Sequence, residues 1–160
     1  MHLIDYFINI CPKIFHFLEE NFDFIIAEIK RDRFGAEIIY KNLTTGIKIR
    51  FEPREFYVFI TLYRLINGNL PVYKDLKEYD SDLTNRFDFD DLIDFRMPFL
   101  LSIEQKSSNS FTQADLEKIL SRNSYNLQLY CKDILKGDFQ VFTELARIRI
   151  KRKEEYKTKR

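Results

Sequence analysis

Tryptophan is absent from this chain of 160 residues, and cysteine and histidine occur only twice each. Cys11 and Cys131 lie far apart in sequence, each among apolar residues, which rules out a Cys-x-x-Cys motif and argues against a disulfide framework, while the sequence does not say whether they meet in space. They read as buried free thiols of a reducing compartment. His2 and His16 both fall near the N-terminus, so no His-Glu-x-x-His pattern exists. In "IFHFL", His16 reads as a histidine at the edge of the core rather than a general base. A Gly-x-Ser-x-Gly elbow and a P-loop are missing too. These absences argue against an enzyme and against a bound cofactor. The enzymatic alternative is a cryptic site assembled from distant residues, such as His16 with Cys11 or Cys131.

Long uncharged runs are also lacking. A membrane-spanning helix needs about 20 apolar residues, and no stretch offers them. The N-terminal "MHLIDYFINICPKIFHFLEENF" is interrupted by Asp5, Lys13 and the pair Glu19 and Glu20. No basic region precedes its apolar part and no small-residue cleavage site follows, so it is not read as a signal. The expectation is a soluble cytoplasmic protein with no membrane contact.

What is present is apolar and aromatic. Sixteen Phe and nine Tyr bring the aromatic share to 16% and the apolar share to 45%, enough for a filled core and incompatible with disorder. The length suits one domain, 1–160, with a basic tail over about 151–160. Leu3, Tyr6, Phe7, Ile10, Ile14, Phe15, Leu18 and Phe22 recur at helical spacing, with Pro12 marking a kink or a new start. Four runs of strand length follow, at Phe24 to Lys30, Phe34 to Lys41, Ile47 to Phe51 and Phe56 to Tyr63, separated by turn chemistry. Ile47, Ile49 and Phe51 alternate with Lys48, Arg50 and Glu52, giving one dry and one wet face. Short links favour an antiparallel meander.

The fourth run is apolar on both faces, so it should be central or meet a helix or partner. Burial of its Tyr57, Phe59, Thr61 and Tyr63 side beneath the C-terminal helices is the commoner outcome for aromatics, and a partly exposed patch there would be a contact surface. C-terminal helices complete the layout. Ser110 and Gln113 predict a capping box, "SRNSYN" suggests a bend, and Gly137 followed by Asp138 predicts a helix end and a new cap, with Phe139 as the anchor of the corner. The fold class read from this pattern is α+β: an N-terminal helix, a four-stranded antiparallel meander, and C-terminal helices packed on the sheet.

The formal net charge is only +1, yet it is unevenly spread. From Asp75 to Asp94 eight acids stand against two bases, a net of −6. Asp88 or Asp90 can cap a following helix. Asp80, Asp82 and their neighbours lack the glycine and closing glutamate of a calcium loop, and "DFDD" is a poor metal motif, so no metal is expected. The sharper reading is an acidic surface for a basic protein partner, formed by Asp80, Asp82, Asp88, Asp90, Asp91 and Asp94 with Tyr57, Phe59 and Tyr63 as apolar support. From Arg147 to Arg160 the sign reverses to +6, eight bases against two acids. Arg147, Arg149, Lys151, Arg152 and Lys153 are the candidates for nucleic-acid contact. No helix-turn-helix, zinc-finger or RNA-recognition signature accompanies them, so a solvated basic helix end is preferred.

A helix ending in "FLEENFDF", a meander through "IIYKNLTTGIKIRFEPREFYVFITLYRL" and the C-terminal "LYCKDILKGDFQVFTELARIRIKRK" together resemble small bacterial α+β proteins of the kind found among immunity proteins of polymorphic toxin systems. The resemblance implies a cytoplasmic binding protein that holds a cognate toxin inactive without a cofactor. It carries over no binding residues.

Overall fold

The computed structural model describes residues 2–99 and 110–159. Two helices, α1 (Leu3–Ile14) and α2 (Phe17–Phe22), lead into β1 (Ile25–Arg31), β2 (Ala36–Lys41), β3 (Thr45–Glu52) and β4 (Tyr57–Arg64). A short helix α3 (Leu76–Ser81) and a short strand β5 (Arg86–Asp88) precede α4 (Phe89–Arg96), and α5 (Gln113–Tyr130), α6 (Lys132–Leu135) and α7 (Gln140–Thr158) close the chain. The fold is α+β, with an antiparallel sheet in the order β1-β2-β3-β4-β5. The fifth strand corrects the expectation of four: β5 arises within the acidic connector and pairs with Thr61 to Tyr63 of β4. A three-residue strand with one apolar residue carries no readable alternation. Its pairing makes β4 an interior strand, as its two apolar faces demanded.

Register follows from burial. Ile38, Ile49 and Ile60 stand side by side on β2, β3 and β4, as do Tyr40, Ile47 and Leu62, and all are buried. The helices cover this face. Phe7 of α1 meets Phe51 of β3 at 5.6 Å, and Phe142 of α7 meets Phe87 of β5 at 4.8 Å. Each such ring withdraws some 150–250 Å² from water, the main favourable contribution to folding. At the sheet margin, the bulge between Ile26 and Glu28 and the charged side chains of β1 blunt an exposed edge against pairing with other chains.

Several local expectations are revised. Helix α1 runs through Pro12, and the new helix begins only at Phe17. The capping box closes on Thr112 and Asp115 rather than Ser110 and Gln113. Thr112 accepts from the Asp115 amide, and the Asp115 carboxylate accepts from the Thr112 amide at 2.9 Å. An acid in the first turn also suits the positive helix end, which a glutamine does not exploit. "SRNSYN" does not bend α5, because Asn123, Ser124 and Asn126 are buried and the Ser124 hydroxyl donates to the Ile14 carbonyl at 3.1 Å. These polar residues are a helix contact rather than a break.

The corner at Gly137 is as expected, with φ of +90°. The Gly137 amide bonds the Ile134 carbonyl at 3.0 Å and the Asp138 amide bonds the Asp133 carbonyl at 2.9 Å, the paired closure of a Schellman end. Asp138 does accept from the Gln140 amide at 3.0 Å, although Phe139 occupies the cap position itself. One side chain ties this corner to the sheet. Asn42, in the β2–β3 turn, donates to the Phe22 carbonyl at 3.0 Å and the Leu135 carbonyl at 3.1 Å while accepting from the Thr44 and Thr45 amides. Beside it the buried Thr45 hydroxyl donates to the Ile134 carbonyl at 2.7 Å. Carbonyls at the ends of two helices are thus satisfied from one turn.

Candidate functional site

The second face of the sheet holds the candidate surface: α1 and α7 pack on the opposite face, so Phe59 stays exposed where burial beneath the C-terminal helices was expected. Alternation places Tyr57, Phe59, Thr61 and Tyr63 of β4 there, beside Lys48, Arg50 and Glu52 of β3. Phe59 is 43% exposed and packs edge-on against Tyr57 at 4.7 Å. The Tyr57 hydroxyl donates to the Asp90 carboxylate in the first turn of α4. Asp88 lies opposite Thr61, one pleat along from Phe59 on the same face. Tyr57, Phe59, Asp88 and Asp90 therefore form one patch, an aromatic pair flanked by carboxylates.

Burial holds the Asp90 carboxyl above the ordinary carboxylate range, opposed by the Tyr57 bond; the nearby charges of Asp88 and Asp91 add to the rise and Arg122 opposes it. The Tyr57 hydroxyl is likewise pushed up, first by burial and then by its bond to Asp90. Asp88 occupies the cap position of α4 without a side-chain bond to the helix amides. It lies 3.6 Å from Arg86 and is half exposed.

The remaining predicted residues disperse. Tyr63 is only 3% exposed, beneath the segment Asn69–Tyr79 that folds over the upper part of the sheet. Asp82 is a structural acceptor: it takes the Tyr73 hydroxyl at 2.6 Å and the Thr84 and Asn85 amides at 3.0 Å each. Although burial alone would raise its carboxyl, these bonds hold it below the ordinary range. Asp80 faces the terminal helix, in a recess shared with Leu83, Arg152, Lys153 and Tyr156. Asp91 is bonded by Arg149, and Asp94 is exposed on α4.

The acidic and basic regions of the chain thus partly answer one another. Arg149 also lies over the Phe87 ring at 4.7 Å, so its charge is committed within the fold. Arg147, Lys151, Arg152 and Lys153 project from α7, which carries the basic run as helix to Thr158.

The residues considered for hidden chemistry lie apart. His16 is a surface side chain, 54% exposed and 3.2 Å from both Glu19 and Glu20, which corrects its placement at the core edge. The helix turn after α1 points its side chain outward while Phe15 and Phe17 on either side go in. His2 caps α1 through its ring, accepting from the Ile4 amide at 3.3 Å. Both cysteines are fully buried and free. Burial pushes the Cys131 thiol up to about 12 and the Cys11 thiol higher, which disfavours the nucleophilic thiolate. Neither the recess beneath Asn69–Tyr79 nor the one beside Asp80 is lined by a histidine or cysteine. Among the described residues no three acidic, histidine or cysteine side chains are grouped to hold a metal ion, and no helix is long and apolar enough to cross a membrane.

Sequence reasoning missed two basic participants near the patch, Arg86 and Arg122. Arg86 belongs to the short strand that alternation does not reveal, and Arg122 approaches Asp90 only through the packing of α5 near α4. No protein-family model, no curated protein and no solved structure matches the chain.

Proposed function

We propose that this chain is a non-catalytic protein-binding module whose partner is a basic protein. The observation that carries the reading is the half-exposed Phe59, packed edge-on against Tyr57 and flanked by Asp88 and Asp90. A large aromatic ring held rigidly at the surface supplies contact area at little entropic cost. Carboxylates around it select cationic side chains and speed their approach. The resemblance to immunity proteins gives the partner a concrete form, a basic toxin held inactive. A cytoplasmic setting accords with two free thiols.

Asp82 and Asp90 have structural bonds, so neutralising them mixes folding with binding. Phe59→Ala combined with Asp88→Asn and Asp94→Asn removes the ring and two exposed charges while leaving those bonds in place. The tagged parent should retain a basic protein from a lysate of the source organism, and the triple variant should lose it while still melting cooperatively, at a temperature lowered by the loss of the Asp88–Arg86 pair, and Asp88→Asn alone measures that share. An Arg152→Gln and Lys153→Gln variant on α7 should retain it. If capture instead depends on α7 and vanishes after nuclease treatment, the basic helix contacts nucleic acid and the protein-binding reading is wrong.

A further inference from the structure

The segment Asn69–Tyr79 does not lie flat on the sheet. It is fastened at both ends. Leu70 packs where Gly46 has no side chain, so closely that a β-carbon there would meet Leu70 at 3.3 Å. At the other end Tyr79 stands with its ring 3.7 Å from the Arg86 guanidinium. Tyr73, between them, is fixed by its bond to Asp82 and its edge-on contact with Tyr79 at 5.1 Å. The span leaves a recess of about 460 Å³ over β1, β2 and β3, within the range of small-molecule sites.

The charges in this recess do not cancel. Lys30 is neutralised by Glu28 at 3.3 Å and Glu37 at 3.8 Å, and Glu37 is shared with Arg50 at 3.6 Å. Lys41 and Lys48 also line it, and neither makes an ion pair among the described residues. Lys41 lies opposite Gly46 and Lys48 opposite Ile39, which makes the two lysines diagonal neighbours on one face. Such neighbours are about 7–8 Å apart at their bases, so two flexible ammonium groups can converge on one anion. Behind the Tyr79 ring, the Arg86 side chain is 6% exposed and its Nε has no hydrogen-bond partner. Asp88 at 3.6 Å offsets part of its charge. Ile39, Leu70, Tyr63 and Tyr79 provide an apolar and aromatic wall beside the two cations.

We infer that this recess binds a small organic anion, a carboxylate or phosphate on a flat apolar body, with Lys41 and Lys48 taking the charge and the tyrosines taking the body. The site is separate from the Phe59 patch and does not rest on the protein-binding reading. Its consequence is that a soluble ligand would brace the strap against the sheet, since a molecule bound only by the folded state stabilises it.

Phenyl phosphate, inorganic phosphate and phenol, each titrated into the full chain and followed by backbone amide NMR, test this. Phenyl phosphate should saturate in the millimolar range or below, shifting the amides of Ile39, Lys41, Lys48 and Tyr73. Inorganic phosphate should bind about tenfold more weakly for want of the wall, and phenol should shift these amides least for want of charge. Lys41→Gln and Lys48→Gln, made singly so that each fold can be verified from its spectrum, should each weaken phenyl phosphate about tenfold. Arg152→Gln on α7 should leave it unchanged. Shifts confined to residues 147–153, shifts indifferent to both lysine variants, or the lack of a saturable response would each overturn the assignment.

Discussion

Gly137 lies against Thr44 so closely that a β-carbon at position 137 would stand 2.7 Å from the threonine hydroxyl oxygen. Two separate demands therefore fall on one glycine, a left-handed backbone with φ of +90° and a close approach between the α6–α7 corner and the β2–β3 turn. The first is a local matter of dihedral strain, about 1 kcal/mol for a side chain. The second adds a steric cost. Gly68 isolates the first, having φ of +78° with nothing within 4 Å of an added β-carbon. Gly137→Ala should lower stability by about 2 kcal/mol or more, and Gly68→Ala by about 1 kcal/mol. Urea unfolding of both variants measures the difference. Equal losses would show that the approach to Thr44 relaxes freely.

Asn42 supplies what the backbone of that corner lacks. Its amide reaches the Phe22 and Leu135 carbonyls while its oxygen holds the Thr44 and Thr45 amides. Removing a partner from half-buried groups costs about 1–3 kcal/mol for each group left unsatisfied. Asn42→Ala should therefore destabilise by about 3 kcal/mol, softened where water can enter. Asn42→Asp keeps both acceptor bonds and loses both donors, so it should fall between alanine and the parent. An aspartate variant as stable as the parent would mean that the two helix carbonyls do not depend on Asn42.

The thiols offer a test of burial without any substitution. Both cysteines are fully buried, and the Cys131 thiol is pushed up to about 12 by desolvation, partly countered by the charge of Arg96. A thiol-specific disulfide reagent at neutral pH should react with neither in the folded chain and with both in denaturant. Rapid labelling of either cysteine in the native protein would show that its cover opens readily.

Legibility follows the range of the forces involved. The dry face of β3 was readable because Ile47, Ile49 and Phe51 obey a period of two within five residues, and the Gly137 corner because positive φ is a property of one residue. The start of α5 falls two residues later than the sequence pattern places it, because Thr112 offers a cap as well as Ser110 and the bonds of Asp115 favour it. Strand β5 was hidden because Arg86, Phe87 and Asp88 gain their regularity from β4 rather than from their own pattern. The candidate patch was half visible. Tyr57 and Phe59 were placed on the right face, while Tyr63, on that same face, is removed from it by the strap over Gly46. That cover is a contact between distant residues, beyond the reach of any local period.

Asp90 gives the pH dependence a sign. Its carboxyl is raised in the folded chain, first by burial and further by Asp88 and Asp91, against the opposing Tyr57 bond and Arg122. A carboxyl that holds its proton more tightly when folded than when unfolded contributes stability below the unfolded value of about 4. That contribution is lost as pH rises through the raised folded value. Asp82 and Asp133 act in the opposite sense: hydrogen bonding to Tyr73 and nearby amides lowers the first, and the Arg96 fork lowers the second. Their contribution is present above the unfolded value and fades as pH falls through the lowered ones. Asp90→Asn retains an oxygen to accept the Tyr57 hydroxyl and removes the desolvated charge. Relative to the parent, the variant should gain stability between pH 3 and pH 7, whatever its standing at the acid end. Urea unfolding of both proteins at several pH values in that interval tests the sign. Parallel stability curves would mean that Asp90 ionises in the folded chain as it does in the unfolded one, and that its carboxylate is more open to a partner than its bond to Tyr57 implies.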